Sequence, residues 1–390
     1  MMRGGFNVYS LIRAAIITAS ALIFISTNES ARPSGIELKN LELIEVVGLD
    51  YSEASGEYTL SYLHESSSKS SGAGSEEGGT GGGEIEVISR TAASYNEAIR
   101  AARALSEKYI SEGHIKRVII GEEAARHGLI TAYDFLLRHN SFRMNAKLFV
   151  AKNAAARDIL EVVSSEVQLA NIAHTINLSA KLLEADIISS LYLVNEPRPS
   201  GTLPALELAG DSEHNLKFAG LACIDGAALR GYADVNHTEM ADMLNARELE
   251  LVLNIDGNLL LKLQKSKVSY DITCENGVPV SVRVKCLLDA SVEEIQNPDF
   301  AADEVSLLAA EKKAEGILTA RLEKLFAHSK ELETDFARIY RAIKKSHPDC
   351  WREVHGNWNA VFAELELSAT VELNISGSYN ISALSAGRKN

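Results

Sequence analysis

The sequence predicts an α+β protein of two or three domains, with a mixed α/β region in the amino-terminal half and an antiparallel sheet packed with long helices in the carboxyl-terminal half. Three observations lead to this fold class. The chain of 390 residues is longer than one ordinary core requires, and its 46% hydrophobic and 24% charged residues are typical of a folded globular protein. Strand and helix signals alternate in the first half, whereas a run of strands precedes long helices in the second.

Residues 1–30 have the pattern of an export signal or a membrane anchor. Arg3 and Arg13 precede an apolar run from Ala14 to Ile25, and positive charge before a short apolar run keeps the amino terminus in the cytoplasm. The run is shorter than the roughly 20 residues of a comfortable bilayer span. No clear cleavage site follows it, so a cleaved signal and a retained anchor are both open. The rest of the chain is then expected outside the cytoplasmic membrane.

The predicted amino-terminal domain covers residues 36–200 and opens with a hairpin. Strand signals at 58–63 and 84–88 flank residues 66–83, which are dominated by Ser, Gly and Glu. Such a composition buries too little apolar surface to offset the entropy of ordering, and it predicts a flexible loop. Its glycines do not form a phosphate-binding loop, because a strand follows them and no Gly-Lys-Ser/Thr is present.

A capping box at Ser94 and Glu97 predicts the start of the next helix. Later apolar segments predict further elements of the first half: strands at 118–120 and 146–151, a short helix that stops at Gly128, and helices at 131–137, 155–163 and 168 to about 190. Residues 195–201 contain two prolines and a glycine, and they predict a border between domains.

The predicted carboxyl-terminal domain covers residues 213–382. Its strands are expected at 218–224, 248–255, 259–263, 267–274 and 280–288, with a helix at 238–247 and a hairpin turn at Asp256-Gly257. A long amphipathic helical region is predicted from 303 to 345, ended by Pro348, and a last strand from 364 to 375 alternates apolar and polar residues.

The four cysteines are widely spaced and form no Cys-x-x-Cys motif: Cys223, Cys274, Cys286 and Cys350. If Asn276-Gly277 is the turn of a hairpin, Cys274 faces Pro279 and Cys286 lies near Lys267. The two thiols are then about 20 Å apart along the ladder, too far for a disulfide, and we predict that both are buried and free. Spacing alone pairs none of the cysteines, although an exported protein allows disulfides.

No residue is predicted to be catalytic, to bind a cofactor or to bind a metal. His64-Glu65 is followed by serines, so the zinc motif His-Glu-x-x-His is absent, and no Gly-x-Ser-x-Gly elbow occurs. His114 has the side chain of a general base, but the sequence favours a packed, hydrogen-bonded histidine because no nucleophile or acid clearly joins it. The adjacent acids Glu122-Glu123 are predicted to be solvated charges. The net charge of -14 argues against nucleic-acid binding.

Several stretches resemble one family of proteins. The first of them are Ile36 to Leu41, Val47 to Asp50 and the block His114 to Leu129, followed by Asp134 to Arg138, Arg143 to Ala146, Val150 to Lys152, Phe218 to Ala222, Ser266 to Val268 and Trp358 to Phe362. In these stretches the sequence resembles the Ger(x)C family, the C subunits of spore germinant receptors. The resemblance extends over nearly the whole chain after the amino-terminal segment.

The resemblance implies a non-catalytic subunit of a nutrient-germinant receptor, required for nutrient-triggered spore germination. The subunit would lie on the extracytoplasmic face of the spore inner membrane, in a complex with the A and B membrane subunits. Two features depart from the family pattern. No cysteine for lipid attachment occurs between Thr27 and Arg32, so the apolar segment or the partner subunits are expected to hold the protein at the membrane. Asn374 to Ser378 replace the usual basic end of the last strand. The alternative is an exported solute-binding protein of the cell envelope, with its hinge at 195–201.

Overall fold

The structure is a computed structural model, and the residues that it describes are 17–19, 40–66, 84–106, 108–162, 186–195, 200–209, 216–245, 251–297, 300 and 303–375. The predicted amino-terminal segment 1–30, apart from a helical turn at 17–19, and the predicted loop 66–83, apart from Ser66, lie outside the described residues. Most of the predicted helix 168–190 also lies outside them. Its described end, residues 186–190, forms turns rather than helix.

Two compact units are distinguished: residues 1–42 with 106–110, and residues 43–105 with 111–390. In the smaller unit, the Ser106 hydroxyl donates a hydrogen bond of 2.7 Å to the Glu42 carboxylate. Strands β1 (Leu41–Leu43) and β5 (Tyr109–Ser111) form a two-stranded sheet. The elements that follow belong to the larger unit.

An eight-stranded sheet organises the first half of the chain. Its strands are β2 (Val46–Ser52), β3 (Glu57–Ser66), β4 (Glu84–Ala92), β6 (Arg117–Ile120), β7 (Lys147–Ala151), β8 (Gly201–Leu208), β9 (Leu216–Asp225) and β10 (Ala228–Ala233). Their spatial order is β10-β9-β8-β7-β6-β2-β3-β4. The four central strands β8, β7, β6 and β2 run parallel, and antiparallel hairpins flank them on both sides. The central strands are mostly apolar because both of their faces are largely buried.

The described residues of this half form the helices α1 (Tyr95–Arg103), α2 (Glu122–His127), α3 (Leu129–Arg138) and α4 (Ala156–Val162). The predicted cap of α1 is confirmed, since the Ser94 hydroxyl accepts from the Glu97 amide at 3.3 Å. Gly128 has a φ of +137° between α2 and α3, a conformation that glycine adopts without strain.

The eight-stranded sheet continues across the border that the sequence predicts at 195–201. Strand β8 pairs with β7 on one side and with β9 on the other, from Gly201 opposite Ile224 to Leu208 opposite Leu216. Strands β9 and β10 therefore join the sheet of the first half, although the sequence places them in the second domain. The division into domains at 36–200 and 213–382 stays a prediction.

A second sheet, with the order β11-β12-β13-β14, organises the carboxyl-terminal half. Its strands and the helix that precedes them are α5 (Val235–Asn245), β11 (Leu251–Ile255), β12 (Leu259–Glu275), β13 (Val278–Ile295) and β14 (Glu366–Ile375). Both predicted hairpin turns are confirmed, because Asp256-Gly257 and Asn276-Gly277 have positive φ at both central positions. The predicted strands 259–263 and 267–274 are one continuous strand, β12.

The register of the β12–β13 hairpin differs by one residue from the prediction. Cys274 pairs with Pro279 as predicted, but Cys286 pairs with Val268 rather than Lys267. A register shift between Thr273 and Cys274 accounts for the difference. Cys286 is buried as predicted, whereas Cys274 is only partly buried.

The predicted α+β class is confirmed, with one difference in strand direction. Strands β11 to β13 are antiparallel, but β14 pairs with β13 in parallel, from Ser281 opposite Glu366 to Ala290 opposite Ile375. All the remaining helices lie between these two strands, and such a long connection can return the chain in the same direction. The predicted alternation of β14 is confirmed, since Val371 is buried and its neighbours are exposed.

The helical region predicted at 303–345 is two helices. Helix α6 (Glu304–Glu331) presents Ala310, Ala314, Leu318, Leu322 and Leu325 to the core, as the periodicity predicts. The chain then turns at Glu333 and Arg338, which have positive φ, before α7 (Ile339–Ser346) begins.

The remaining helices are α8 (Pro348–Val354) and α9 (Trp358–Glu364). The predicted end of this helical region before Pro348 is confirmed, since α7 ends at Ser346, and Pro348 begins the next helix, α8. Proline suits this first position because its missing N–H is not needed there. Among the described residues, no helix has both the length and the apolar composition needed to cross a bilayer.

Two buried carboxyl groups, Asp335 and Asp50, and the partly buried Asp242 make the stability of this fold depend on pH. Burial raises the pKa of Asp335 to about 7, although hydrogen bonds from the amides of Tyr340 and Ile339 and from the Trp358 indole act to lower it. Burial also raises the pKa of Asp242 to about 7, opposed by Arg338, and that of Asp50 to about 6. The folded protein holds these protons between about pH 4 and 7, where the unfolded chain has released them. Stability therefore decreases as pH rises through this window.

We predict that Asp242→Asn removes part of this decrease. The variant should be more stable than the parent protein at pH 8, by on the order of 2 kcal/mol, and equal to it at pH 4.5. Urea unfolding of both proteins at pH 4.5, 6 and 8 measures the effect. Parallel stability curves over this range would show that Asp242 ionises normally in the folded protein.

Candidate functional site at the carboxyl ends of the parallel strands

Three of the stretches that carry the family resemblance meet at one edge of the eight-stranded sheet. The parallel strands β2, β6 and β7 all end there, because parallel strands direct their carboxyl ends to the same edge. Asp50 lies near the end of β2, Gly121-Glu122 follow β6, and Asn153 follows β7. The first turn of α4 covers Asp50.

The Asp50 carboxylate accepts two hydrogen bonds at the start of α4, from the Ala156 amide at 2.6 Å and the Arg157 amide at 3.0 Å. Asp50 is buried, with only 8% of its surface exposed. Burial raises its pKa, whereas the two amides favour the charged form. Asp50 thus supplies a capping group to a helix that is distant from it in sequence.

Two glycines allow this close approach. A side-chain carbon on Gly121 would lie 1.9 Å from the Asp50 carboxylate oxygen, closer than any real contact. A side-chain carbon on Gly48 would lie 3.1 Å from the Cβ atom of Ala156. The glycines of the two motifs are therefore required by the crossing of the strands and α4, rather than by a bound ligand.

Glu122 is not the solvated charge that the sequence predicts. Its carboxylate accepts from the Asn153 amide, from the Tyr232 hydroxyl at 3.0 Å and from Arg126 at 2.7 Å. Burial alone would raise the pKa of Glu122, but these hydrogen bonds outweigh it and lower the pKa. The partners Asn153 and Tyr232 are remote in sequence, so helix periodicity gave no signal of them. The neighbouring Glu123 is exposed, and it accepts from the Glu53 amide at 2.6 Å.

The histidines of this half hold structural or surface positions. His127 stacks on Tyr51 with ring centroids 3.8 Å apart. His114, predicted to be packed, is exposed at the end of a short 3-10 turn, because the chain turns before it enters β6. His64 is buried and lies 3.6 Å from Glu86. Within the described part of the chain, no group of three His, Cys, Asp or Glu residues is placed to hold a metal.

The last motif, Trp358 to Phe362, makes two buried contacts through polar atoms. The Trp358 indole donates to the Asp335 carboxylate at 3.2 Å, and that carboxylate also caps α7 through the Ile339 amide at 2.8 Å. The Asn359 amide donates to Asp225 at 2.7 Å. Asp225 lies at the end of β9, so the motif connects α9 to the eight-stranded sheet and to the start of α7.

A cleft of about 620 Å³ lies between α6 and the strands β12 to β14. Its lining is Lys267, Leu287, Leu288, Asp289, Glu311, Lys312, Glu315, Glu372, Leu373 and Asn374. None of these residues belongs to the predicted hinge at 195–201. The Glu315 and Glu311 carboxylates accept from the amides of Leu373, at 3.1 Å, and Ile375, at 2.8 Å, so they cover the outer edge of β14. In the sequence, this contact is indicated only by the spacing of Glu311 and Glu315, which lie four residues apart on one helix.

Comparison with known protein families finds matches in both halves of the chain. Residues 34–208 match the family described as spore germination protein N-terminal domain, and residues 219–379 match the family described as spore germination B3/GerAC like, C-terminal. The protein is a member of the Ger(x)C family of spore germination proteins. The two matches together cover most of the chain, and the boundary between them lies within the eight-stranded sheet.

Two Bacillus subtilis (strain 168) proteins are similar to this Ger(x)C protein. Spore germination protein YfkR is 25% identical over 299 residues, which are 71% of this chain and 77% of YfkR. Spore germination protein B3 is 30% identical over 125 residues, 30% of this chain and 32% of B3. The crystal structure of the GerBC protein shares the fold, with a TM-score of 0.56 at 18% identity over 85% of this chain and 97% of GerBC.

The motif acids of this Ger(x)C protein are engaged with groups of the protein itself. Asp50 caps α4, and Glu122 accepts from the Asn153 amide and the Tyr232 hydroxyl. Outside the motifs, Asp335 and Asp225 accept from the motif residues Trp358 and Asn359. Each of these acids thereby positions the chain. The site is therefore best described as a pair of structural contacts that fix the surface loops around them.

We predict that Gly121→Ala destabilises the protein by about 2 kcal/mol or more, because the new methyl group displaces Asp50 from its position against α4. The matched control is Gly316→Ala. Gly316 lies on the exposed face of α6, and a side-chain carbon there meets nothing within 4 Å. The control should gain up to about 1 kcal/mol from helix propensity. Urea unfolding measures both, and equal stability of the two variants would contradict the described contact.

Proposed function

We propose that this protein is a non-catalytic C subunit of a spore nutrient-germinant receptor, required for nutrient-triggered germination. The observation that carries the proposal is the family match across both halves of the chain, 34–208 and 219–379. The internal use of the motif acids supports a role in assembly, because Asp50 and Glu122 are committed to contacts within the protein.

The partners that we propose are the A and B membrane subunits of the receptor. The location is the extracytoplasmic face of the spore inner membrane, and the apolar segment within residues 1–30 attaches the protein there. Arg3 and Arg13 before the apolar run support this orientation. The absence of a cysteine from Thr27 to Arg32 supports attachment without a lipid on cysteine.

The proposed mechanism is coupling through docking. A subunit without reactive groups influences a complex by binding one state of its partners better than another. Rigid loops favour such binding, because the entropy lost in ordering a flexible surface lowers its affinity for a partner. The contacts of Asp50 and Asp335 hold loops of the two sheets in fixed positions. Nutrient binding by a membrane partner would then shift the equilibrium of the whole receptor.

We predict that deletion of Phe6 to Ser26 releases the protein from the spore membrane fraction and abolishes germination with the nutrient of this receptor. The matched control replaces residues 14–25 with an unrelated apolar sequence of the same length, and it should restore both properties. Immunoblots of membrane fractions and loss of optical density in spore suspensions measure the two effects.

Two results would contradict the proposal. One is normal nutrient germination of spores in which the variant without Phe6 to Ser26 is found in the soluble fraction. The other is the failure of the full-length protein to co-purify with polytopic membrane subunits, together with binding of an amino acid or sugar by the purified chain alone. The second result would favour the exported solute-binding protein.

A further inference from the structure

Two of the four cysteines come together although they are remote in sequence. Cys274 lies near the end of β12, just before the Asn276-Gly277 turn, and Cys350 lies in the first half of α8. The Cys350 thiol lies near enough to Cys274 to help raise its pKa. Both residues are partly buried, so neither is enclosed in the core.

The packing of α8 against the hairpin explains this pairing. A side-chain carbon on Gly277 would lie 3.7 Å from the Cγ atom of Glu353, so α8 passes over the hairpin turn. Val354 follows Cys350 by four residues and is buried in the core. Residues four apart share one face of a helix, and Cys350 therefore faces the sheet rather than solvent.

The other two cysteines have no such arrangement. Cys286 pairs with Val268 in the β12–β13 ladder, while Cys274 pairs with Pro279. Positions 268 and 274 are about 20 Å apart at roughly 3.3 Å per residue, beyond the reach of a disulfide. Cys223 is fully buried in β9, where its thiol contacts the Leu221 carbonyl at 4.0 Å.

We propose that Cys274 and Cys350 form a disulfide in the exported protein. The inference rests on the proposed function for its compartment, because disulfides persist outside the cytoplasm. The bond would close a loop that contains α6 and α7 and would join the β12–β13 turn covalently to α8. Glu353 contacts the hairpin turn, and Cys350 lies one helical turn before it on the same face of α8, so the two thiols can approach each other by rotation of their side chains.

The oxidation needs a partner with a disulfide of its own. One thiolate attacks a sulfur of that disulfide and forms a mixed disulfide, and the second cysteine then displaces the partner. Cys274 and Cys350 together lose two protons and two electrons, and the partner, reduced, leaves with two thiols. Burial raises the pKa of Cys274 to about 12, and the neighbouring Cys350 adds to this effect. The reduced pair is therefore slow to react spontaneously, and a thiol–disulfide oxidoreductase is the expected oxidant.

The test has one arm in spores and one arm with purified protein. In the first, thiols of the full-length protein are trapped with an alkylating agent at low pH during extraction from spores, and peptides are mapped by mass spectrometry. In the second, the purified full-length chain is equilibrated with reduced and oxidised glutathione. Both arms should yield a peptide that links Cys274 to Cys350, with Cys223 and Cys286 alkylated only after unfolding.

Stability gives an independent readout. Reduction should lower the Tm of the oxidised protein by roughly 5–10 °C, as expected for a large closed loop. The double variant Cys274→Ser/Cys350→Ser should have the Tm of the reduced protein and show no change with reductant. Comparison of the circular dichroism spectra of this variant and the reduced protein controls for loss of folding.

Three results would overturn the proposal: free Cys274 and Cys350 in protein trapped from spores, no linked peptide at any glutathione ratio, or a bond between a different pair. A linked protein that fails to co-purify with membrane subunits would instead refute the proposed function and leave the disulfide intact. The two inferences therefore fail separately.

Discussion

The buried carboxylate of Asp50 fixes the position of α4 against the parallel strands, and much of the first half depends on this contact. Asp50 accepts from the first amides of α4, while Gly121 leaves room for it at the end of β6. The Gly121 amide in turn donates to the Leu49 carbonyl at 2.9 Å. Strand, turn and helix are thus held by one polar group in an apolar environment, where an unsatisfied carboxylate would cost several kcal/mol.

In the second half, too, a buried carboxylate caps a helix. Asp335 is buried between α6 and α7, caps α7 and accepts from the Trp358 indole. Asn359, the next residue, reaches Asp225 at the end of the other sheet. The motif residues therefore join helices and strands of this protein. The proposed receptor function depends on the surfaces that these contacts hold in place.

The sequence predicts those parts of the fold that depend on local signals. The Ser94 cap, the Asp256-Gly257 and Asn276-Gly277 turns and the alternation of β14 all follow from neighbouring residues. Contacts between distant residues leave no such signal. The parallel pairing of β14, the break of the long helix at Asp335 and the partners of Glu122 depend on tertiary packing, and the solvated role predicted for Glu122 was wrong for this reason.

The claim that the motif acids act through structure alone is tested most directly by Asp50→Ala in spores. The amount of folded protein in the spore membrane and the rate of nutrient germination are measured in the same preparation. The account predicts that both fall together, because the loss of the α4 cap destabilises the protein. A normal amount of folded protein with no germination would contradict it, since Asp50 would then act in the response itself.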